Sequence, residues 1–132
     1  MNNYIRKKIP KEIIVFSRTE SQYELSELYS ISDSLLCLSY KESFGLTPIE
    51  AMACGTPSIV YDNSALLELV SPNIIESVQT GNLDEVIKKI KKIIKNNKSF
   101  YLESCRIRAE KFYDFSKNYN QYIKLYNKLL KK

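Results

Sequence analysis

Residues 39–57 read Ser39-Tyr40-Lys41-Glu42-Ser43-Phe44-Gly45-Leu46-Thr47-Pro48-Ile49-Glu50-Ala51-Met52-Ala53-Cys54-Gly55-Thr56-Pro57. Two carboxylates, Glu42 and Glu50, stand here with seven residues between them, and Gly45 marks a turn in the interval. A helix-start signature follows: Thr47 has N-cap chemistry, Pro48 suits the first helical position, and Glu50 falls three residues after the cap. Such a start presents backbone N–H groups without intrahelical partners, and the positive end of a helix dipole, to whatever lies before it. Phosphate is the usual anion at such a place. By local sequence alone Glu50 reads first as a capping-box partner of Thr47, and Glu42 as an exposed loop acid.

Outward from this stretch, short apolar runs alternate with helical patterns. Ile13–Phe16 and Leu35–Leu38 read as buried strands, Ser58–Tyr61 as a third, and Ile74-Ile75 as a fourth, very short one. Ser21 with Glu24 forms a capping box ahead of a helix whose face carries Leu25, Leu28 and Tyr29. The central helix is expected from about Pro48 to Cys54, closed by Gly55, and Ser64 caps a short helix through Leu69. Asn82 with Glu85 repeats the box and opens a lysine-rich helix, followed by helices over Ser99–Asp114 and Ser116–Leu130. The last of these carries Tyr119, Tyr122, Ile123, Tyr126, Leu129 and Leu130 on one stripe. Strands alternating with helices imply a parallel sheet of three to four strands, covered on both faces. Ligands of such sheets bind beyond the carboxyl ends of the strands, and the Glu42–Leu46 loop leaves the Leu35–Leu38 strand at that edge.

Composition bounds the chemistry. The chain has 132 residues, 44% hydrophobic and 27% charged, which is ordinary for one globular domain. It has no histidine, so Ser-His-Asp, Cys-His and His-ligated zinc chemistry are out of reach. Cys37, Cys54 and Cys105 form no CxxC pair, and reduced cytoplasmic thiols are the simplest reading. No stretch approaches the length of a membrane span, and the opening residues Met1–Lys8 lack the apolar core of a secretory leader. Much of the net charge of +5 comes from Lys88, Lys89, Lys91, Lys92, Lys95 and Lys98, interleaved with Val86, Ile87, Ile90, Ile93 and Ile94. That pattern is the solvated face of an amphipathic helix; its alternative is contact with a membrane surface or an anionic acceptor. No aromatic platform interleaved with arginine points to nucleic acid.

The stretch Glu42–Ile59 resembles the E-x7-E segment of retaining GT-B glycosyltransferases of the GT4 (glycosyl transferases group 1) type, commonly written E-G-F-G-L-P-x-L-E-A-M-A-C-G-x-P-V-I. Ser21–Ser39 is similar to the helix and strand that lead into that segment, and Phe112–Leu130 to the family's closing helices. The resemblance implies an α/β, Rossmann-like fold: the later part of a nucleotide-sugar-binding domain occupying residues 1–132, without the N-terminal acceptor domain and without the first two strand-helix units. It implies sugar transfer from a nucleotide-diphosphate donor to an acceptor hydroxyl with retention, in polysaccharide or glycolipid assembly, with no metal ion and no cofactor beyond the donor. Glu50 would bind the ribose hydroxyls, and Glu42 would act catalytically beside the donor sugar. Ser43, Phe44, Gly45 and Leu46 would offer backbone N–H groups to sugar and diphosphate, with Phe44 also packing. Ser43 stands where the family commonly has glycine.

Thr47 would add a hydroxyl to the phosphate site, although capping explains it equally well. Arg18, just past the first expected strand, would touch phosphate or base, or else remain a solvated arginine. The paired carboxylates also suggest glycoside hydrolysis, but nothing in the sequence marks a raised-pKa acid. A fragment of this kind is expected to be inactive alone, to expose apolar surface and to self-associate. Its acceptor, a glycan or a lipid-linked group, would bind through the missing domain, with peripheral contact at the inner face of the membrane. The competing class is a non-catalytic nucleotide-binding or interaction fragment whose basic amphipathic helices hold a partner.

Overall fold

A computed structural model describes residues 10–16, 18–63 and 65–131. The first described element is helix α1 (Gln22–Ile31), started by Ser21, whose side chain accepts the Glu24 N–H at 3.1 Å. The Glu24 carboxylate reaches back to the Glu20 N–H at 2.7 Å, one residue earlier than a reciprocal box would have it. Strand β1 (Leu35–Cys37), helix α2 (Leu46–Ala53) and strand β2 (Ser58–Tyr61) follow. Then come the single turn α3 (Leu66–Leu69), strand β3 (Ile75–Val78) and helices α4 (Leu83–Asn96), α5 (Ser99–Phe112) and α6 (Phe115–Leu130).

The three strands form one parallel sheet in the order β1-β2-β3, with Leu36 opposite Ile59 and Ile59 opposite Glu76. The fold class is the expected one. All of β2 is buried, and Ile59 and Val60, which point to opposite faces, are both fully buried, so helices cover both sides of the central strand. Around it pack Met52 of α2, Leu66 of α3, Ile75 and Val78 of β3, and Tyr101 and Cys105 of α5. Burial of each large side chain contributes about 1.5–3 kcal/mol, so this cluster outweighs any single polar contact in the domain. Helix α4 lies across β2 and β3, where Lys89 and Lys92 hold Glu76 at 2.5 and 2.7 Å. Two of the expected solvated lysines therefore anchor the helix to the sheet.

Among the described residues, coverage is thinner at one edge. Leu36 shares the face of Ile59 and Glu76, yet it is 43% exposed, because α4 packs mainly over β2 and β3. The expected strand at Ile13–Phe16 does not form. Those residues are exposed, Ile14 by 79%, and the local backbone bond is a turn from Ile13 N–H to the Pro10 carbonyl at 3.1 Å. An apolar run becomes a strand only with a partner and a covering layer. Helix α1, next in the chain, packs on α2 and supplies no such layer.

Other expectations also shift. The fourth strand is longer than the Ile74-Ile75 dipeptide suggests, and it becomes β3. Helix α6 buries none of its residues, and its tyrosine stripe is exposed. The Ser64 cap and the leaderless reading of Met1–Lys8 fall outside the described residues.

Candidate functional site

The carboxyl ends of the three strands open on loops that are laced to one another. The Asn63 side-chain amide donates to the Ser39 carbonyl at 3.2 Å and to Thr80 Oγ1 at 3.0 Å. Asp62 accepts the Thr80 N–H at 2.7 Å and its hydroxyl at 3.0 Å. The Tyr40 and Tyr61 rings meet at 5.6 Å between centroids. Asp62, Asn63 and Thr80 thus stiffen the rim of the sheet. Sequence reading missed them, because the signal lay in two loops 18 residues apart in the chain.

The loop after β1 carries Glu42, half-buried, whose carbonyl accepts the Ala65 N–H at 3.5 Å. Ser43 and Phe44 follow, both exposed. Gly45 is buried, has φ +85°, and serves as the N-cap of α2. This corrects the expected cap at Thr47: the left-handed glycine turns the chain into the helix two residues sooner. Leu46, Thr47 and Pro48 then occupy the first turn, where the missing N–H of proline costs no intrahelical bond. Glycine has no side chain to cap the turn, so the N–H groups of Leu46, Thr47 and Ile49 receive no bond from the cap residue. The start of α2 faces the carboxyl edge of the sheet, the place expected for an anion in this architecture.

Glu50 lies one turn further along, on the exposed side of α2. Its carboxylate does not close a capping box. Instead Oε2 accepts the Tyr29 hydroxyl, at 3.1 Å. Burial, followed by the hydrogen bond and negative charge of Glu50, pushes the Tyr29 phenol up to about 12, so it stays protonated as the donor. Tyr29 had been legible only as part of the apolar face of its helix.

The far end of α2 explains the rest of the motif. Gly55, at φ +77°, ends the helix as expected, and a Cβ there would stand 2.9 Å from Leu102 Cγ of α5. The Arg106 guanidinium donates to the Ala53 carbonyl at 2.8 Å, favourable at a helix C-terminus. Buried Thr56 donates its hydroxyl to the Tyr29 carbonyl at 2.6 Å.

The structure thus brings Glu42, Ser43, Phe44, Gly45, Leu46, Thr47 and Glu50 into one continuous turn and helix start. Arg18 is not joined to it: the strand that would have placed it there is absent, and it is exposed, with no hydrogen bond or ion pair among the described residues. Phe44 faces a groove of about 520 Å³ shared with Phe112, Tyr113, Tyr122 and Leu125. No group of three or more metal-ligating side chains occurs among the described residues, and none of their helices is long and apolar enough to cross a membrane.

Residues 3–112 match the family described as Glycosyl transferases group 1. The chain is 45% identical over 65 residues to the N-acetyl-alpha-D-glucosaminyl L-malate synthase of Bacillus anthracis, across 49% of this chain and 16% of that protein. It is 43% identical over 53 residues to the D-inositol 3-phosphate glycosyltransferase of Rhodococcus erythropolis, across 40% of this chain and 12% of that protein. The enzyme of the same name in Mycobacterium tuberculosis is 33% identical over 69 residues, 52% of this chain and 14% of that protein. The matched stretches therefore span between 12% and 16% of these relatives. With the Glu42–Glu50 turn at the carboxyl edge of a parallel sheet and a family match over residues 3–112, the chain belongs to the glycosyl transferases group 1 family.

Proposed function

We propose that this chain is the donor-binding part of a retaining glycosyltransferase, holding a nucleoside-diphosphate sugar while an acceptor hydroxyl displaces the nucleotide at the anomeric carbon. One observation carries the reading. The loop after β1 and the start of α2 present Glu42, backbone N–H groups and Glu50 in sequence along the carboxyl edge of the sheet. Diphosphate belongs at the N-terminus of α2, where N–H groups and the dipole favour negative charge. Glu50, exposed on the next turn, accepts hydrogen bonds from neighbouring ribose hydroxyls, a task suited to a carboxylate with two oxygens. Glu42 lies beside the donor sugar, holds one of its hydroxyls and stabilises the positive charge that grows as the glycosidic bond breaks. The leaving diphosphate is stabilised electrostatically by the Ser43–Thr47 turn. No metal ion is required by this set of groups.

The acceptor, a glycan or lipid-linked hydroxyl, binds through a part of the enzyme beyond this chain, in polysaccharide or glycolipid assembly at the cytoplasmic face of a membrane. Exposed Leu36 on β1, the edge strand among the described residues, and the exposed apolar stripe of α6 favour self-association of the isolated chain. The competing reading, a basic interaction fragment, is weakened because Lys89 and Lys92 are engaged with Glu76.

The test is a calorimetric titration of the chain with UDP, GDP and their sugar conjugates, with Glu50→Ala as control. Binding of one nucleotide, lost in the variant, is the expected result. Vesicle binding that is salt-dependent and unchanged by Glu50→Ala, without nucleotide binding, would favour the interaction fragment instead.

A further inference from the structure

We infer that Tyr29 is the positioning residue of the site, its hydroxyl holding the Glu50 carboxylate in the orientation that receives ribose. The inference rests on the donor-binding reading above and adds a residue from outside the motif. An ionised carboxylate only accepts, so the 3.1 Å contact runs from the Tyr29 hydroxyl to Glu50 Oε2. One donor occupies one lone pair. Glu50 is exposed, which leaves the other oxygen and the remaining lone pair for two adjacent hydroxyls.

The main chain of Tyr29 is itself held: its carbonyl accepts the Ser32 N–H at 3.2 Å. The same carbonyl accepts the Thr56 hydroxyl at 2.6 Å and the Lys98 ammonium at 3.2 Å, and Lys98 also reaches the Ser30 carbonyl. The end of α1 is thereby tied to the turn after α2 and to the start of α5. A glutamate on an exposed helix face samples several rotamers and must give that freedom up on binding. A bond to a side chain whose own main chain is anchored in this way removes part of the loss beforehand. The motif's Thr56 thus holds the main chain of the residue whose side chain meets the motif's Glu50.

The experiment compares wild type, Tyr29→Phe, Glu50→Gln and the double variant. Each is titrated calorimetrically with UDP, ADP and GDP and with the 2′,3′-dideoxy form of each. For the diphosphate that wild type binds best, Tyr29→Phe is expected to weaken binding roughly tenfold. The preference for ribose over dideoxyribose should shrink with it, while the thermal midpoint hardly moves. Glu50→Gln should lose that preference, and adding Tyr29→Phe to it should change binding no further.

If Tyr29→Phe keeps both affinity and preference while Glu50→Gln loses them, the positioning role is overturned and the donor-binding reading stands. If Tyr29→Phe weakens ribose and dideoxyribose ligands equally and lowers the thermal midpoint, its role is structural and the inference is likewise overturned. If wild type binds no diphosphate, or Glu50→Gln changes nothing, both fall. The contact is checked separately by NMR titration of ring-labelled tyrosine. Tyr29 should titrate near 12 in wild type and move toward 10 in Glu50→Gln; no movement overturns the contact itself.

Discussion

A Cβ added to Gly45 would stand 2.8 Å from Leu69 Cδ1, so the turn between the two glutamates is pressed against α3 with no room for a side chain. Leu66 Cδ2 lies nearly as close, at 2.9 Å, and both leucines are buried. The glycine is therefore required twice, by backbone angle and by space. The position of the Glu42 loop is decided by the same contact that completes the core.

Gly45→Ala should destabilise the chain by about 2–4 kcal/mol, combining the left-handed backbone penalty with displacement of packed leucines. Gly81 offers the control. Its φ is +84° but nothing lies within 4 Å of an added Cβ, so Gly81→Ala should cost only about 1 kcal/mol. Urea denaturation of the two variants measures the gap, and equal losses would mean that the Leu66–Leu69 contact carries no weight.

Tyr101 is almost fully buried, and its hydroxyl accepts from the Asn96 amide at 2.9 Å. Tyr101→Ala should cost about 3–5 kcal/mol through the cavity it leaves. Tyr101→Phe should cost about 0.5–1.5 kcal/mol, the net worth of one hydrogen bond. The same denaturation curves separate the two.

Acid stability should depend on Glu76. Burial pushes this carboxyl up, but hydrogen bonds and charge from Lys89 and Lys92 more than offset that, leaving it below its ordinary value of 4.5. The unfolded chain therefore binds more protons just below pH 4.5 than the folded one does. The stabilisation is complete above that pH and lost as pH falls through the depressed folded value. In Glu76→Gln the acid limb of the stability profile should be shallower, as followed by circular dichroism against pH.

Thiol reactivity should rank the three cysteines. Cys105 is fully buried, and burial pushes its thiol up to about 11. Burial also raises Cys37, while Cys54 is the least buried of the three. Iodoacetamide on the native chain should modify Cys54 first and leave Cys105 untouched until denaturant is added, as read by peptide mass spectrometry.

Much of the site was legible because its signals are local. The Glu42-to-Glu50 spacing, Gly55 as a helix stop, and the apolar runs at Leu35 and Ser58 all lie within a few residues of the structure they produce. The helix start was placed two residues late because Thr47 and Pro48 carry strong capping chemistry, whereas Gly45 caps through a backbone angle that no side chain advertises. Ile13–Phe16 looked like a strand because apolar runs usually are, but whether a partner is present is not written in the run itself.

By itself the sequence determined the motif, the alternation of strands with helices, and the family, because hydrophobic periodicity and turn chemistry act over short distances. Only the tertiary structure decided that Glu50 is met by Tyr29, 21 residues earlier, rather than by its own helix start. It also decided that Asp62 binds Thr80 across two loops, and that β1 is the edge strand of the sheet among the described residues. These outcomes depend on how helices settle on a sheet, and that is set by the packing of the whole core around Ile59 and Val60 rather than by any neighbouring residue.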